Sequence, residues 1–378
     1  MGTNPGNPAG PLRRNGAVMN NRLVEEIADA LLYEGYILYP YRASALKNRK
    51  RFNFGVVYPS AYAEAQGGAS ISSMQTECLV LGGPLTEIEI KVRFLQIVAR
   101  VNGEQTSPLC ELRGGEAPGL HPAGAVEVQG NSYSMWQEAS ERDVTLPSCG
   151  LAEIAAHPIR HDFKFPARME VEPLREESGL VAAALIRRQE LVAGCVEVTG
   201  EPAARVGAGT AVLRATDQSL FRVRVRISNL TEFGATDDAD EALMRSLAST
   251  HTLLGVREGE FVSLLDPADP FKHAAATCRN VGTFPVLAGE EGRHDTLLSS
   301  PIILYDYPQV AAESAGQFFD GTEIDEMLAL RIMTLTDDEK REMGQLDEKT
   351  AAASATDRGA SAGAHDEAAR SVARSPWR

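Results

Sequence analysis

The sequence predicts an α+β fold with a mixed or mainly antiparallel β-sheet core and peripheral helices. Three observations lead there. Residues 86–101 (TEIEIKVRFLQIVARV) and 220–228 carry long alternations of apolar and charged residues, which need only one covered face and so suit antiparallel pairing. Residues 168–229 as a whole read as an antiparallel meander, with two further strands at 180–188 and 191–199. Helical periodicity is confined to a few separate stretches.

The first twenty residues are rich in Gly, Pro and Asn without apolar periodicity and are expected to be a disordered lead. A helix is predicted from residue 21, with Leu23, Val24, Ile27 and Leu31 on one face and Gly35 placed for a left-handed C-cap. YILYP (36–40) and FNFGVVY (52–58) read as short strands joined by a basic connection. Alternation in the second puts Phe52 and Phe54 on a buried face and leaves Arg42, Lys47, Arg49 and Lys50 solvated. In 86–101, Ile88, Ile90, Val92 and Phe94 form a buried face against a solvated ladder of Glu87, Glu89, Lys91 and Arg93. Beyond Leu95 the apolar parity changes to Ile97, Ala99 and Val101, which predicts a bulge or bend at Leu95 and Gln96.

Residues 103–148, rich in Gly, Pro and polar side chains, read as a long excursion and a soft boundary within a single body spanning 21–349. In 221–228, Phe221, Val223, Val225 and Ile227 point inward and three arginines outward. A helix follows at 238–248, then a hairpin over 252–266 turning at Arg257, Glu258 and Gly259, a short helix within 268–280 and a strand at 301–307. Thr336 and Glu339 form a capping box ahead of DDEKREMGQLDEK, with another helix before it. Residues 350–378 have almost no apolar face and are expected to be a disordered, solvated tail.

With 378 residues, 43% of them apolar, the chain is long enough for a substantial core. A net charge of -15 opposes long-range attraction to nucleic acid or an anionic membrane, both polyanions. No stretch approaches the length of an apolar membrane span, and the start lacks the apolar region of a signal peptide, so a cytoplasmic protein is expected. Cys78, Cys110, Cys149, Cys195 and Cys278 are scattered, which fits reduced thiols rather than a disulfide framework or zinc site.

Several constellations invite chemistry. Tyr39, Tyr41, Arg42, Lys47 and Arg49 lie in one aromatic and basic span, which suits docking of an acidic protein partner better than nucleic acid. Tyr305 and Tyr307, in YDYPQV, have the residue types of a second protein interface. His157, His161 and Asp162 are the nearest approach to a metal site, since histidines four apart share a face on a helix or a strand. Ser299 or Ser300 with His251, His294 and Asp295 would need the fold to assemble a triad, and no G-x-S-x-G elbow marks either serine. Cys278 stands beside Arg279, a neighbour able to depress a thiol pKa. Walker and Rossmann loops are absent, GAGTAV (207–212) reads as a turn, and no cofactor is expected.

Four long stretches, LLYEGYILYPYRASALKNRKRFNFGVVYP, STHTLLGVREGEFVSLLDP, CRNVGTFPVLAGEEGRHDTLLSSPIILYDYPQVA and FFDGTEIDEMLALRIMTLTDDEKREM, resemble a family of uncharacterised proteins associated with gene clusters of high-affinity, actinobacterial-type NiFe hydrogenases. The resemblance covers roughly residues 21–348. It implies a cytoplasmic, non-enzymatic accessory protein that binds a hydrogenase subunit or maturation factor, and it assigns no catalytic residue. The alternative from the residues themselves is a metal-handling protein or hydrolase built on His157, His161 and Asp162. A purely structural oligomer is a third.

Overall fold

The structure, a computed structural model, describes residues 22–37, 54–109, 120–134, 136–203, 219–234 and 238–309. The first half holds α1 (Arg22–Ile37), α2 (Ser60–Ala65), β1 (Ser73–Leu109), β2 (Leu120–Ala123), β3 (Ala125–Val128), β4 (Asn131–Ser134), β5 (Trp136–Thr145), β6 (Cys149–Gly150), α3 (Leu151–Ala156) and β7 (Ile159–Phe165). The second holds β8 (Arg168–Arg175), β9 (Val181–Gln189), β10 (Val192–Pro202), β11 (Ser219–Asn229), α4 (Ala239–Leu243), β12 (Ala248–Val262), α5 (Lys272–Ala276), β13 (Phe284–Leu287) and β14 (Thr296–Ser300). The described helices are few and short beside the strands, and the described strand pairs are antiparallel, so the protein is a mostly antiparallel β structure with sparse helices.

β1 organises the sheet. Its 37 residues pair with β2, β5, β6, β9, β11 and β12, and the main path runs β13-β14-β12-β1-β11-β10-β7. Against β12 the register moves from Gly82↔Gly259 to Glu87↔Arg257, so Gly83, Pro84, Leu85 and Thr86 lie opposite Glu258 alone. Thr86 fixes this bend by donating to the Glu258 carbonyl at 2.5 Å and accepting from the Gly83 amide at 2.8 Å. A Cβ at Gly82 would stand 2.6 Å from the Thr86 hydroxyl and 2.8 Å from Leu151, so only glycine fits.

The bend folds the sheet over its own core. Met74, Cys78 and Val80 from the first arm of β1 share one buried cluster with Ile88, Ile90, Val92 and Phe94 from the second. Phe94 lies 5.8 Å and 5.7 Å, ring centre to ring centre, from Phe163 and Phe165 of β7, which joins the sheet through the first arm. The Thr76 hydroxyl meets that of Ser299 at 2.8 Å across the same interior. Both arms therefore serve as facing walls.

The outer face of the second arm carries α1. Val24, Ile27, Ala28 and Leu31 pack on Leu253, Val286 and Leu298, and Leu32 packs with Leu95 and Ile97. The face expected to be a solvated charge ladder is largely covered by this helix. Arg93 is 4% exposed and pairs with Asp29 at 2.6 Å, Asp143 at 3.0 Å, Glu141 at 3.4 Å and Glu25 at 3.7 Å. Lys91 reaches Glu25 at 3.1 Å, and the buried Glu89 pairs with Arg257. Burial alone would lower the Arg93 pKa, but hydrogen bonds and attraction from Asp29 and Asp143 outweigh it and hold it raised.

Other expectations need correction. The parity change after Phe94 is no bulge in β1, whose pairing with β5 is unbroken from Lys91 to Arg100; the odd face simply becomes apolar where Leu32 covers it. The extra residue sits in β12, where Ser249 and Thr250 lie opposite Phe94 and Ser249 takes φ +51°. Residues 252–262 form no hairpin but continue β12 through Glu258 at φ +50°. The 103–148 stretch contains β5, which returns along β1, and the β3-β4 hairpin. In the proposed meander β9 pairs with β1 and β8 rather than β10. Residues 301–307 are not a strand.

At the N-terminal end, α1 passes Gly35 without capping there. From 54 to 58 there are only two isolated bridges, from Val57 to Leu247 and to Ile71, where no regular ladder imposes alternation, and Phe54 is half-buried. Phe52, Arg42, Lys47, Arg49, Lys50, residues 38–40 and everything beyond 309 lie outside the described residues.

His251 sits opposite Arg93 in the β12 ladder and is fully buried. Its Nδ1 lies 3.0 Å from the Ser249 carbonyl, which can only accept, so Nδ1 carries the proton and the buried Nε2 is left without a partner. Burial, and to a lesser degree repulsion from Arg93, holds its pKa down at about 4, against the opposing effect of that backbone bond.

Two outcomes follow. Phe94→Ala should cost about 3–5 kcal/mol in chemical denaturation, the scale of a fully buried aromatic. Because unfolded His251 binds a proton more readily than the folded residue, stability should fall as pH drops from 6.5 towards 4. The native protein should lose about 2 kcal/mol more than His251→Asn between pH 7 and 5.

Candidate protein-binding surface

The sheet ends at β13, and the chain closes that edge itself. Leu287 turns its backbone groups away from β14: its amide donates to Asp306 Oδ1 at 2.8 Å and its carbonyl accepts from the Tyr307 amide at 2.7 Å. Two residues back, Pro285 points the same way and has no N–H to offer. An incoming strand would find this edge without a usable donor ladder.

The strap that closes it, residues 301–307, is irregular but firmly attached. Ser300 donates to the Ile302 carbonyl at 2.7 Å, Ser263 donates to Asp306 Oδ2 at 2.5 Å, and the Tyr307 hydroxyl donates to the Arg293 carbonyl at 3.1 Å. Ile302 and Leu304 pack inward beside α1, so the intervening side chains point out. Ile303 is 73% and Tyr305 88% exposed. Phe284, Val281 and Leu265, all partly exposed, belong to the same end of the sheet.

The loop bearing Val281 is anchored by a buried carboxylate. Glu77 is 1% exposed, accepts from the Arg279 amide and Arg224 Nε at 2.7 Å each, and its own amide donates to Asn280 at 2.7 Å. Here too exposed side chains ride on a held backbone. Of the two tyrosines predicted for an interface, Tyr305 is presented to solvent while Tyr307, at φ +57°, is used internally to seal the edge. Tyr39, Tyr41, Arg42, Lys47 and Arg49 lie outside the described residues.

The other candidate chemistry is not brought together. His157 caps α3 and is exposed, while His161 and Asp162 are consecutive in β7 and so point to opposite faces. Asp162 pairs with Arg160 at 2.9 Å. Among the described residues no three His, Cys, Asp or Glu side chains form a group that could hold a metal ion. Ser299 is buried between the hydroxyls of Thr76 and Thr283, at 2.8 Å and 2.7 Å, and Ser300 is committed to Ile302. His294 faces the Phe261 carbonyl at 3.1 Å and Asp295 pairs with Arg293 at 2.5 Å, so no Ser-His pair forms. Cys278 is no activated thiol: burial raises its pKa more than Arg222, the arginine that does reach it, lowers it.

Ile303 and Phe284 were not singled out from the sequence. Alternation within the stretch expected as a strand at 301–307 puts Ile303 on the same side as Tyr305, and Pro285 within an apolar run is a signal of a sheet edge. Compared with protein-family models and with curated proteins, the chain matches no family model and no curated relative.

Proposed function

We propose that this chain is a non-enzymatic accessory protein that binds a subunit or maturation factor of a NiFe hydrogenase through the Ile303 and Tyr305 face. The observation that carries the reading is the strap: its backbone is fixed by bonds from Ser263, Leu287 and Tyr307, yet it holds two large apolar side chains out in solvent. Large apolar or aromatic groups on a pre-ordered backbone bind with little further loss of entropy, which is how interface anchors act. The sealed edge beside them directs a partner to side chains rather than to strand addition. The class of partner comes from the resemblance of the four long stretches to the hydrogenase-associated family.

The test is a pull-down from a host that produces a high-affinity NiFe hydrogenase, with the tagged native chain and an Ile303→Asp, Tyr305→Ala variant. The native chain should enrich a hydrogenase subunit or maturation factor. The variant should lose at least about tenfold of that capture, the effect of removing one interface anchor. Its unfolding free energy should stay within about 0.5 kcal/mol of native, as for surface substitutions generally. Capture of no hydrogenase protein, or equal capture by the variant, would contradict the proposal.

A further inference from the structure

A half-buried arginine, Arg142, lies beside the place where Phe94 meets β7. Arg142 faces the same side as Phe94, its partner in the β5-β1 ladder. Its Nε donates to Gln96 Oε1 at 2.7 Å and its Nη2 donates to Gln189 Oε1 at 3.3 Å. Its guanidinium carbon lies 5.1 Å from the centre of the Phe165 ring. Gln96, itself buried, donates to the Glu190 carbonyl at 2.7 Å, and Gln189 donates to the Ser140 hydroxyl at 2.5 Å, so both amide oxygens are held in place.

This arrangement satisfies one edge and one face of the guanidinium and leaves the other edge open. A guanidinium offers two pairs of parallel N–H groups, one from Nε and Nη2 and the other from Nη1 and Nη2. Gln96 and Gln189 take the first pair, and the second has no protein partner among the described residues. The other partly buried arginines, Arg93, Arg100, Arg187, Arg222, Arg224, Arg245 and Arg257 among the described residues, each pair with a carboxylate. Among the described residues Arg142 has only neutral partners.

A second cation stands alongside. Arg168 is opposite Gln189 in the β8-β9 ladder and therefore shares this face. Its ion pair with Glu170, at 2.7 Å, is exposed and so screened by solvent. Burial, and after it repulsion from Arg168, lowers the Arg142 pKa, as expected of a cation that lacks a counter-charge.

We propose that Arg142, oriented by Gln96, Gln189 and Phe165 and supported by Arg168, binds a small oxyanion, a phosphate or carboxylate group, through its open Nη1 and Nη2 edge. Two parallel N–H groups match two oxygens of such a group, and the anion supplies the counter-charge that the chain withholds. This site is at the opposite side of β1 from β12, β14 and β13 and does not depend on the partner proposed for the strap.

Calorimetric titration of the full chain with inorganic phosphate and with succinate, at fixed ionic strength against chloride, tests the site. At least one should bind with 1:1 stoichiometry, and which one binds identifies the oxyanion. Arg142→Lys keeps the charge but loses the paired donors, and should weaken binding at least about tenfold. Arg168→Gln should weaken it severalfold, and Gln189→Ala should do so without removing a charge. Absence of binding by both anions to the native chain, or equal binding by native and Arg142→Lys chains, would overturn the proposal. If Arg142→Lys fails to fold, the comparison between native and Gln189→Ala decides in the same sense.

Discussion

A strand of 37 residues can line two facing walls of a core only if it turns over on itself, and the rest of this fold depends on that turn at Gly82–Thr86. A flat continuation of β1 would carry Met74 and Val80 far from Ile90 and Phe94, since a strand advances about 3.3 Å per residue. With the turn, those side chains meet in one cluster and β7 reaches across to Phe94. The device is local: a glycine with no room for a Cβ, a threonine bonded to both sides of the bulge, and Glu258 in a left-handed conformation opposite.

The second arm must also close its outer face, and it does so with mixed means. Its lower part carries Glu89, Lys91 and Arg93, whose removal from water is costly unless they are paired. Glu25 and Asp29 on one side of α1 and the edge of β5 bring carboxylates to those cations, while Val24, Ile27, Ala28 and Leu31 on another side of the helix, with Leu32, meet apolar ground. His251, placed beside this cation cluster, is kept neutral chiefly by its complete burial and secondarily by repulsion from Arg93.

Much of the sheet was legible because strand alternation reports one-sided burial. The β11 pattern of Phe221, Val223, Val225 and Ile227 against three arginines needs no tertiary information, and the structure follows it residue by residue. The charged face of β1 misled for the same reason: alternation distinguishes apolar from charged, not exposed from paired, and only the docking of α1 covers Arg93. Arg257, Glu258 and Gly259 carry a hairpin signature, but here the same residues face a bulge, because β1 rather than β12 supplies the extra length. The strap was half legible. Its tyrosines stood out, but which is displayed and which is consumed depends on Leu287 and Arg293, remote in sequence from the pattern. The open edge of Arg142 was not legible at all, since it arises from four strands meeting in register.

Central to this account is that the two arms of β1 form one cooperative core rather than two sheets joined by a hinge. Native-state hydrogen exchange across a denaturant series measures this directly. Amides at 74–81 and at 88–98 should exchange through a single opening of equal free energy, equal also to the global unfolding free energy. Exchange of the first arm, together with β10 and β11, through a separate opening at distinctly lower free energy would contradict it.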